Sequence, residues 1–127
     1  CNDFDSEGWK IGVASPRPKN QDGYLAVFSI RDGAVATSGD YLNSFTEDKS
    51  SHHIIDPISH RSPNELASVT VHALTALEAD ALSTAIMVMG ADAGLELANG
   101  LDRVEALVVT KEMTIRRTKG FPTSTLI

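Results

Sequence analysis

Asp80 and Thr84 lie four residues apart in a stretch with helical spacing, so one face carries both a carboxylate and a hydroxyl. Ala79, Ala81 and Ala85 flank them, and such small side chains let a ligand or a backbone come close. Two oxygen donors suit a hard cation such as Mg²⁺, which keeps several waters and shares phosphate oxygens with its substrate. A structural alternative stands beside this: Asp80 in the first helical turn, favoured by the dipole, and Thr84 bonded back to the i−4 carbonyl. His52, His53 and Asp56 form a second group, followed by Pro57. An imidazole near neutral pH exchanges protons, and a carboxylate three residues away can orient it or approach a metal. Neighbouring residues of an extended chain point to opposite sides, so one histidine enters a site, and His53 is assigned to it. The alternative is a pair of surface histidines beside an Asp-Pro turn. The third group, Thr37, Ser38, Gly39, Asp40 and Tyr41, places hydroxyls, backbone N–H groups and a carboxylate where a strand gives way to a turn. A phosphate could rest there. The run lacks the lysine and spacing of a P-loop, and turn chemistry alone would also account for it.

The elements that must hold these groups can be read from periodicity. Trp9, Ile11 and Val13 alternate with Lys10, Gly12 and Ala14, which predicts a strand with Trp9 in the core. SPRPKNQDG then breaks the chain, and Tyr24 to Ile30 resumes with high β propensity. Arg31, Asp32 and Gly33 predict a tight turn that returns Ala34 to Thr37 antiparallel to the preceding strand. Residues 38–64 are polar and long for a connector, which favours a site-bearing loop. LASVTVHA, 66–73, predicts a strand. Thr75 and Glu78 form a capping box ahead of a helix in which Leu77, Ala81, Thr84, Ala85 and Val88 recur at helical spacing until Gly90. A second helix is expected over Ala93 to Asn99, with Asp92 as N-cap and Gly100 as C-cap glycine. Strands over Val104 to Thr110 and Met113 to Thr118 complete the series. This order predicts an α+β fold, a largely antiparallel sheet with helices packed on one face, in a single domain spanning residues 1–127.

Composition limits the function classes. The chain has 127 residues, 42% hydrophobic and 22% charged, with a net charge of −6 from 11 basic and 17 acidic residues. A chain of this size buries one core. The longest mostly apolar stretch, Ala81 to Met89, is interrupted by Ser83 and Thr84 and falls far short of the ~20 residues that span a bilayer. The single Cys1 forms no intramolecular disulfide, and the residues given open with no signal-peptide pattern. The one tight basic group, Arg116, Arg117 and Lys119, is small, so nucleic acid is not an expected partner.

Taken in order, AVATSGDY at 34–41, HHIIDP at 52–57, SVTV at 68–71, ADALST at 79–84 and MVMG at 87–90 resemble the ApbE-like FAD:protein FMN transferases, over about Trp9 to Phe121. The resemblance implies a T-fold-related architecture. It also implies a bacterial enzyme of the periplasm or cell envelope, often lipid-anchored, that uses Mg²⁺ to cleave FAD and transfers FMN to a threonine or serine hydroxyl of a target protein. Asp80 and Thr84 would then be metal ligands. His53 and Asp56 would be catalytic, near the flavin nucleotide or the attacking hydroxyl. Thr37, Ser38, Asp40 and His53 would bind the nucleotide and shape the cleft.

Two departures accompany the resemblance. After Asp-Pro the family usually has Thr-Gly-x-Pro, whereas ISHRSP stands here, with His60 in place of the glycine, so an altered loop shape is expected. Family members are also usually more than twice this length, so a complete site is expected to need an N-terminal half, or a second copy of the chain, as partner. Two other readings share the cleft: an FAD pyrophosphatase giving FMN and AMP, and a non-catalytic binding or dimerisation domain.

Overall fold

A computed structural model describes residues 8–17 and 23–126; Cys1 and part of the 15–23 break lie outside them. The elements are β1 (Trp9–Ala14), β2 (Tyr24–Ile30), β3 (Ala34–Gly39), β4 (Leu66–Ala73), α1 (Ala76–Met89), α2 (Ala91–Gly100), β5 (Glu105–Thr110), β6 (Ile115–Arg117) and β7 (Thr123–Leu126). The fold is α+β and every described strand pairing is antiparallel, as expected. The strands form two sheets, ordered β1-β2-β7 and β3-β4-β5-β6.

Strand β5 explains the layering. Ala106, Leu107, Val108 and Val109 are all fully buried, which a half-exposed strand does not allow. Ala106 and Val108 join Val69, Val71, Ile86, Met87, Leu95 and Ala98 in the core beneath the helices. Leu107 and Val109 point the other way, to Val13, Ala26, Phe28 and Phe121 beneath the smaller sheet. Helices therefore cover one face of the four-stranded sheet and the three-stranded sheet covers the other. No described helix is long and apolar enough to cross a membrane.

Several sequence expectations need correction. The Asp32-Gly33 turn does not make a hairpin. Both edges of β2 are taken, by β1 and β7, so the chain crosses to the other sheet and β3 pairs with β4 instead. The His72 ring hydrogen-bonds the Asp32 carbonyl at 3.0 Å across this crossing. Trp9 is 68% exposed, because it sits at the end of edge strand β1, while Ile11 and Val13 carry that strand's core contacts.

Helix α1 begins as predicted, with the Thr75 hydroxyl accepting from the Glu78 N–H at 3.2 Å. Its buried face is Ala79, Ser83, Ile86 and Met87, and Leu77 is 81% exposed. The helix is apolar nearly all round, so spacing alone admits more than one stripe. The small Ala79 and Ser83 allow the closest approach to the sheet. Helix α2 starts at Ala91 rather than Ala93, and Gly100 is its last residue rather than a cap after it. Its first N–H finds a distant partner: the Glu65 carboxylate accepts from the Ala91 N–H at 3.0 Å. Gly90 joins the helices at φ 87°, where a side chain would strike that carboxylate. Asp92 instead pairs with Arg116 at 2.7 Å. The last predicted strand shortens to Ile115–Arg117, and β7 was not anticipated.

Candidate functional site

Strand β3 runs two residues further than predicted, to Gly39, and this extension places Ser38 within the ladder. Alternation sends Ser38 toward the helices, together with Ala36. The Ser38 hydroxyl lies 2.8 Å from the Ser83 hydroxyl and 3.1 Å from that of Thr84. Thr37 faces the opposite side, where its hydroxyl pairs with Thr70 at 2.9 Å. The two neighbours thus have different roles, and Ser38 alone reaches α1.

On α1, Asp80 and Thr84 are both exposed and share one face. The helix starts at Ala76, so Asp80 lies beyond the first turn, where the acidic residue is Glu78. Thr84 does not bond back to its own helix; its hydroxyl turns to Ser38, and Ser83 is the residue that donates to the Asp80 carbonyl, at 3.0 Å. The Thr84 hydroxyl thus has its partner on β3 instead of the i−4 carbonyl, and Asp80 stands just past the first helical turn. The Asp80 carboxylate has no hydrogen bond or ion pair among the described residues and points to solvent.

Just past Ser38, Asp40 is completely buried. Its Oδ1 accepts from Arg17 Nη1 at 2.8 Å, and its Oδ2 accepts from Arg17 Nη2 at 2.7 Å and from Lys111 Nζ. Burial alone would raise this carboxyl, but the hydrogen bonds and charges of Arg17 and Lys111 outweigh it and hold the group below its ordinary value. Asp40 therefore gathers two cations at the end of β3 and offers no free oxygen to a ligand. Lys111 also donates to the Lys49 carbonyl at 2.8 Å, which fastens the 40–65 loop to the turn after β5. Tyr41 folds back over Gly39 so closely that any side chain there would strike its ring.

The His52-His53-Asp56 segment belongs to the same loop. His52, not His53, is the buried member: it is 0% exposed, and its Nε2 lies 3.0 Å from the Pro63 carbonyl. Ser62 holds its backbone from both sides, accepting from the His52 N–H at 2.9 Å and donating to the His52 carbonyl at 2.8 Å. His53 is exposed. Asp56 accepts from the Ile58 N–H at 2.9 Å, and that bond, with help from Ser59, lowers its carboxyl below the ordinary value. His60 keeps φ at 59°, the left-handed region that a glycine would occupy, so the loop turns there despite the imidazole.

The structure thus joins Ser38 to Thr84 and, through the helix, to Asp80. Among the described residues no hydrogen bond or ion pair joins the side chains of His53 or Asp56 to that pair. No cluster of three His, Cys, Asp or Glu side chains capable of caging a metal occurs among them either. As a test of fit to Mg²⁺, Asp80 and Thr84 present hard oxygen donors on one open face, enough for two positions of a shell otherwise filled by water and phosphate. Sequence reasoning missed Ser83, Arg17 and Lys111. Ser83 had one signal, a hydroxyl inside an otherwise apolar helix stripe; the cations had none, since their partner is set by tertiary structure.

The sequence model of the ApbE family matches residues 2–108. An FAD:protein FMN transferase of Treponema pallidum is 34% identical over 114 residues, covering 88% of this chain and 31% of the relative. Another, of Escherichia coli strain K12, is 37% identical over 106 residues, covering 82% of this chain and 30% of the relative. The crystal structure of an ApbE protein from Thermotoga maritima superposes with a TM-score of 0.78 at 38% identity, over 89% of this chain and 37% of that one. The chain therefore spans about a third of the length of the curated relatives it matches.

Proposed function

This chain belongs to the ApbE family, and on that premise we propose that it forms the metal-binding part of an FAD:protein FMN transferase. The observation that carries the reading is the Ser38–Thr84 hydrogen bond at 3.1 Å, which brings the end of a sheet strand to the helix face that bears Asp80. Asp80 and Thr84 hold Mg²⁺, which when bound neutralises charge on the FAD pyrophosphate. Arg17 and Lys111, gathered by Asp40, leave one excess positive charge at the end of β3, and this favours the phosphates on the same side.

In the transfer, the acceptor hydroxyl oxygen bonds to the phosphorus of the FMN moiety, the bond from that phosphorus to the AMP oxygen breaks, and AMP leaves. The exposed His53 takes the hydroxyl proton, with Asp56 shaping the turn that follows it in the chain. The rest of the cleft comes from a further segment of polypeptide or from a second copy, in keeping with the share of the relatives that this chain covers. An envelope location belongs to the same proposal, and fractionation of cells producing the tagged polypeptide tests it.

The experiment is to incubate the polypeptide containing this chain with FAD, Mg²⁺ and a candidate acceptor protein, and to weigh the acceptor by mass spectrometry. A gain of one FMN supports transfer. Release of FMN and AMP with an unmodified acceptor would assign the same cleft to hydrolysis, and an unchanged FAD pool would leave a binding role only.

A further inference from the structure

The hydroxyls of Ser83, Ser38 and Thr84 form a chain whose direction is fixed at one end. The Asp80 carbonyl oxygen only accepts, so the single Ser83 hydroxyl proton goes to it, over 3.0 Å. With that proton committed, Ser83 Oγ accepts from Ser38 at 2.8 Å. The Ser38 proton is then committed as well, so Ser38 Oγ accepts from Thr84 at 3.1 Å. Three hydroxyl protons serve three contacts, and this is the one assignment that keeps them all.

The consequence falls on Thr84. Its proton points inward to β3, and the lone pairs of Oγ1 are left on the open side of the helix, beside the face of Asp80. A neutral hydroxyl meets a cation in that orientation, oxygen toward the charge and proton away. Ser38 is 9% exposed and Ser83 is 0% exposed, so neither is placed to take a ligand position on the open face.

We propose that Ser38 is a positioning residue for the metal site: it accepts the Thr84 proton and thereby aims the Thr84 oxygen at the cation, with Ser83 anchoring the chain of hydroxyls to the Asp80 carbonyl. The inference rests on the reading of Asp80 and Thr84 as metal ligands. Without Ser38 the Thr84 hydroxyl is free to rotate and to bond back to the i−4 carbonyl, which is that of Asp80 itself.

The test is Mn²⁺ affinity, read by electron paramagnetic resonance on the polypeptide containing this chain in the presence of FAD, with Mn²⁺ as an oxygen-seeking probe of the Mg²⁺ site. Ser38→Ala is expected to weaken Mn²⁺ binding about 10-fold, the scale on which partners of metal ligands act. In a Thr84→Val background the same change is expected to add nothing, because Ser38 acts only through the Thr84 hydroxyl. A general packing role for Ser38 predicts the opposite, a loss of similar size in both backgrounds, and that result overturns the inference. Should Ser38→Ala fail to fold by circular dichroism, Ser83→Ala removes the fixed end of the chain and is expected to give a smaller loss in the same direction; unchanged affinity there overturns the inference. If Asp80→Ala and Thr84→Val weaken binding but Ser38→Ala does not, the positioning role fails and the metal reading stands. Mn²⁺ binding that is absent, or indifferent to Asp80→Ala, overturns both.

Discussion

Arg17 grips the buried carboxylate of Asp40 with both terminal nitrogens, at 2.8 and 2.7 Å, across 23 residues of sequence. This fork ties the chain after β1 to the end of β3, while Lys111 brings in the turn after β5. Such a bidentate pair is among the stronger polar contacts a protein makes. We expect Asp40→Asn to keep the shape but leave two cations facing a neutral amide, with a cost of about 3 kcal/mol. Urea denaturation measures it, and a loss below about 1 kcal/mol would show the pair to be as weak as an ordinary surface bridge.

The same cluster sets an acid limit. The Asp40 carboxyl is lowered in the folded state from an ordinary value of 3.8, so it binds a proton more readily in the unfolded chain. Its contribution is therefore fully present above the ordinary value and is lost as pH falls through the lowered one. Thermal midpoints recorded from pH 6 down to pH 2 are expected to fall less steeply at the acid end in Asp40→Asn than in the parent chain.

Ser62 holds the backbone of His52 at both its N–H and its carbonyl, at a site where His52 is fully buried. Ser62→Ala leaves two buried backbone groups without that partner. We expect a loss of about 2 kcal/mol, accompanied by faster amide hydrogen exchange at His52. Exchange unchanged at His52 would mean that the loop holds the histidine by other means.

His60 adopts φ 59° without being glycine. A left-handed residue with a Cβ costs about 1–2 kcal/mol, part of which glycine gives back through its freer unfolded chain. His60→Gly is therefore expected to raise stability by about 0.5–1 kcal/mol. The turn at Asp56 should persist, visible as retained protection of the Ile58 N–H.

The legible and hidden parts of this molecule differ in kind. Local rules sufficed for the Thr75 cap, for the Gly90 stop and for the existence of β1 and β4, because each depends on residues within a turn of one another. The failed hairpin at Asp32-Gly33 depended on something non-local, the capture of both edges of β2 by β1 and β7. The buried face of α1 was hidden by its composition: with alanines on several sides, a stripe through Leu77 fits as well as one through Ser83. The start of α2 was displaced because its cap, Glu65, stands 26 residues away. Within the site, Asp80 and Thr84 could be paired from spacing alone. Their link to Ser38 required the fold, since it joins residues 46 apart. Alternation also separates Thr37 from Ser38, and the extension of β3 to Gly39 is what turns Ser38 toward the helix.

Asp80 carries the heaviest part of the functional reading, since among the described residues its carboxylate is the charged donor on the helix face shared with Thr84. The direct measurement is the mass of the acceptor protein after incubation of the Asp80→Ala polypeptide with FAD, the acceptor and Mg²⁺ as sole divalent ion, beside the parent. We expect FMN incorporation to fall by roughly two orders of magnitude or more while the thermal midpoint stays close to the parent's, as suits an exposed residue lost from a metal site. Undiminished FMN transfer by the folded Asp80→Ala polypeptide would contradict the assignment of the metal to this helix.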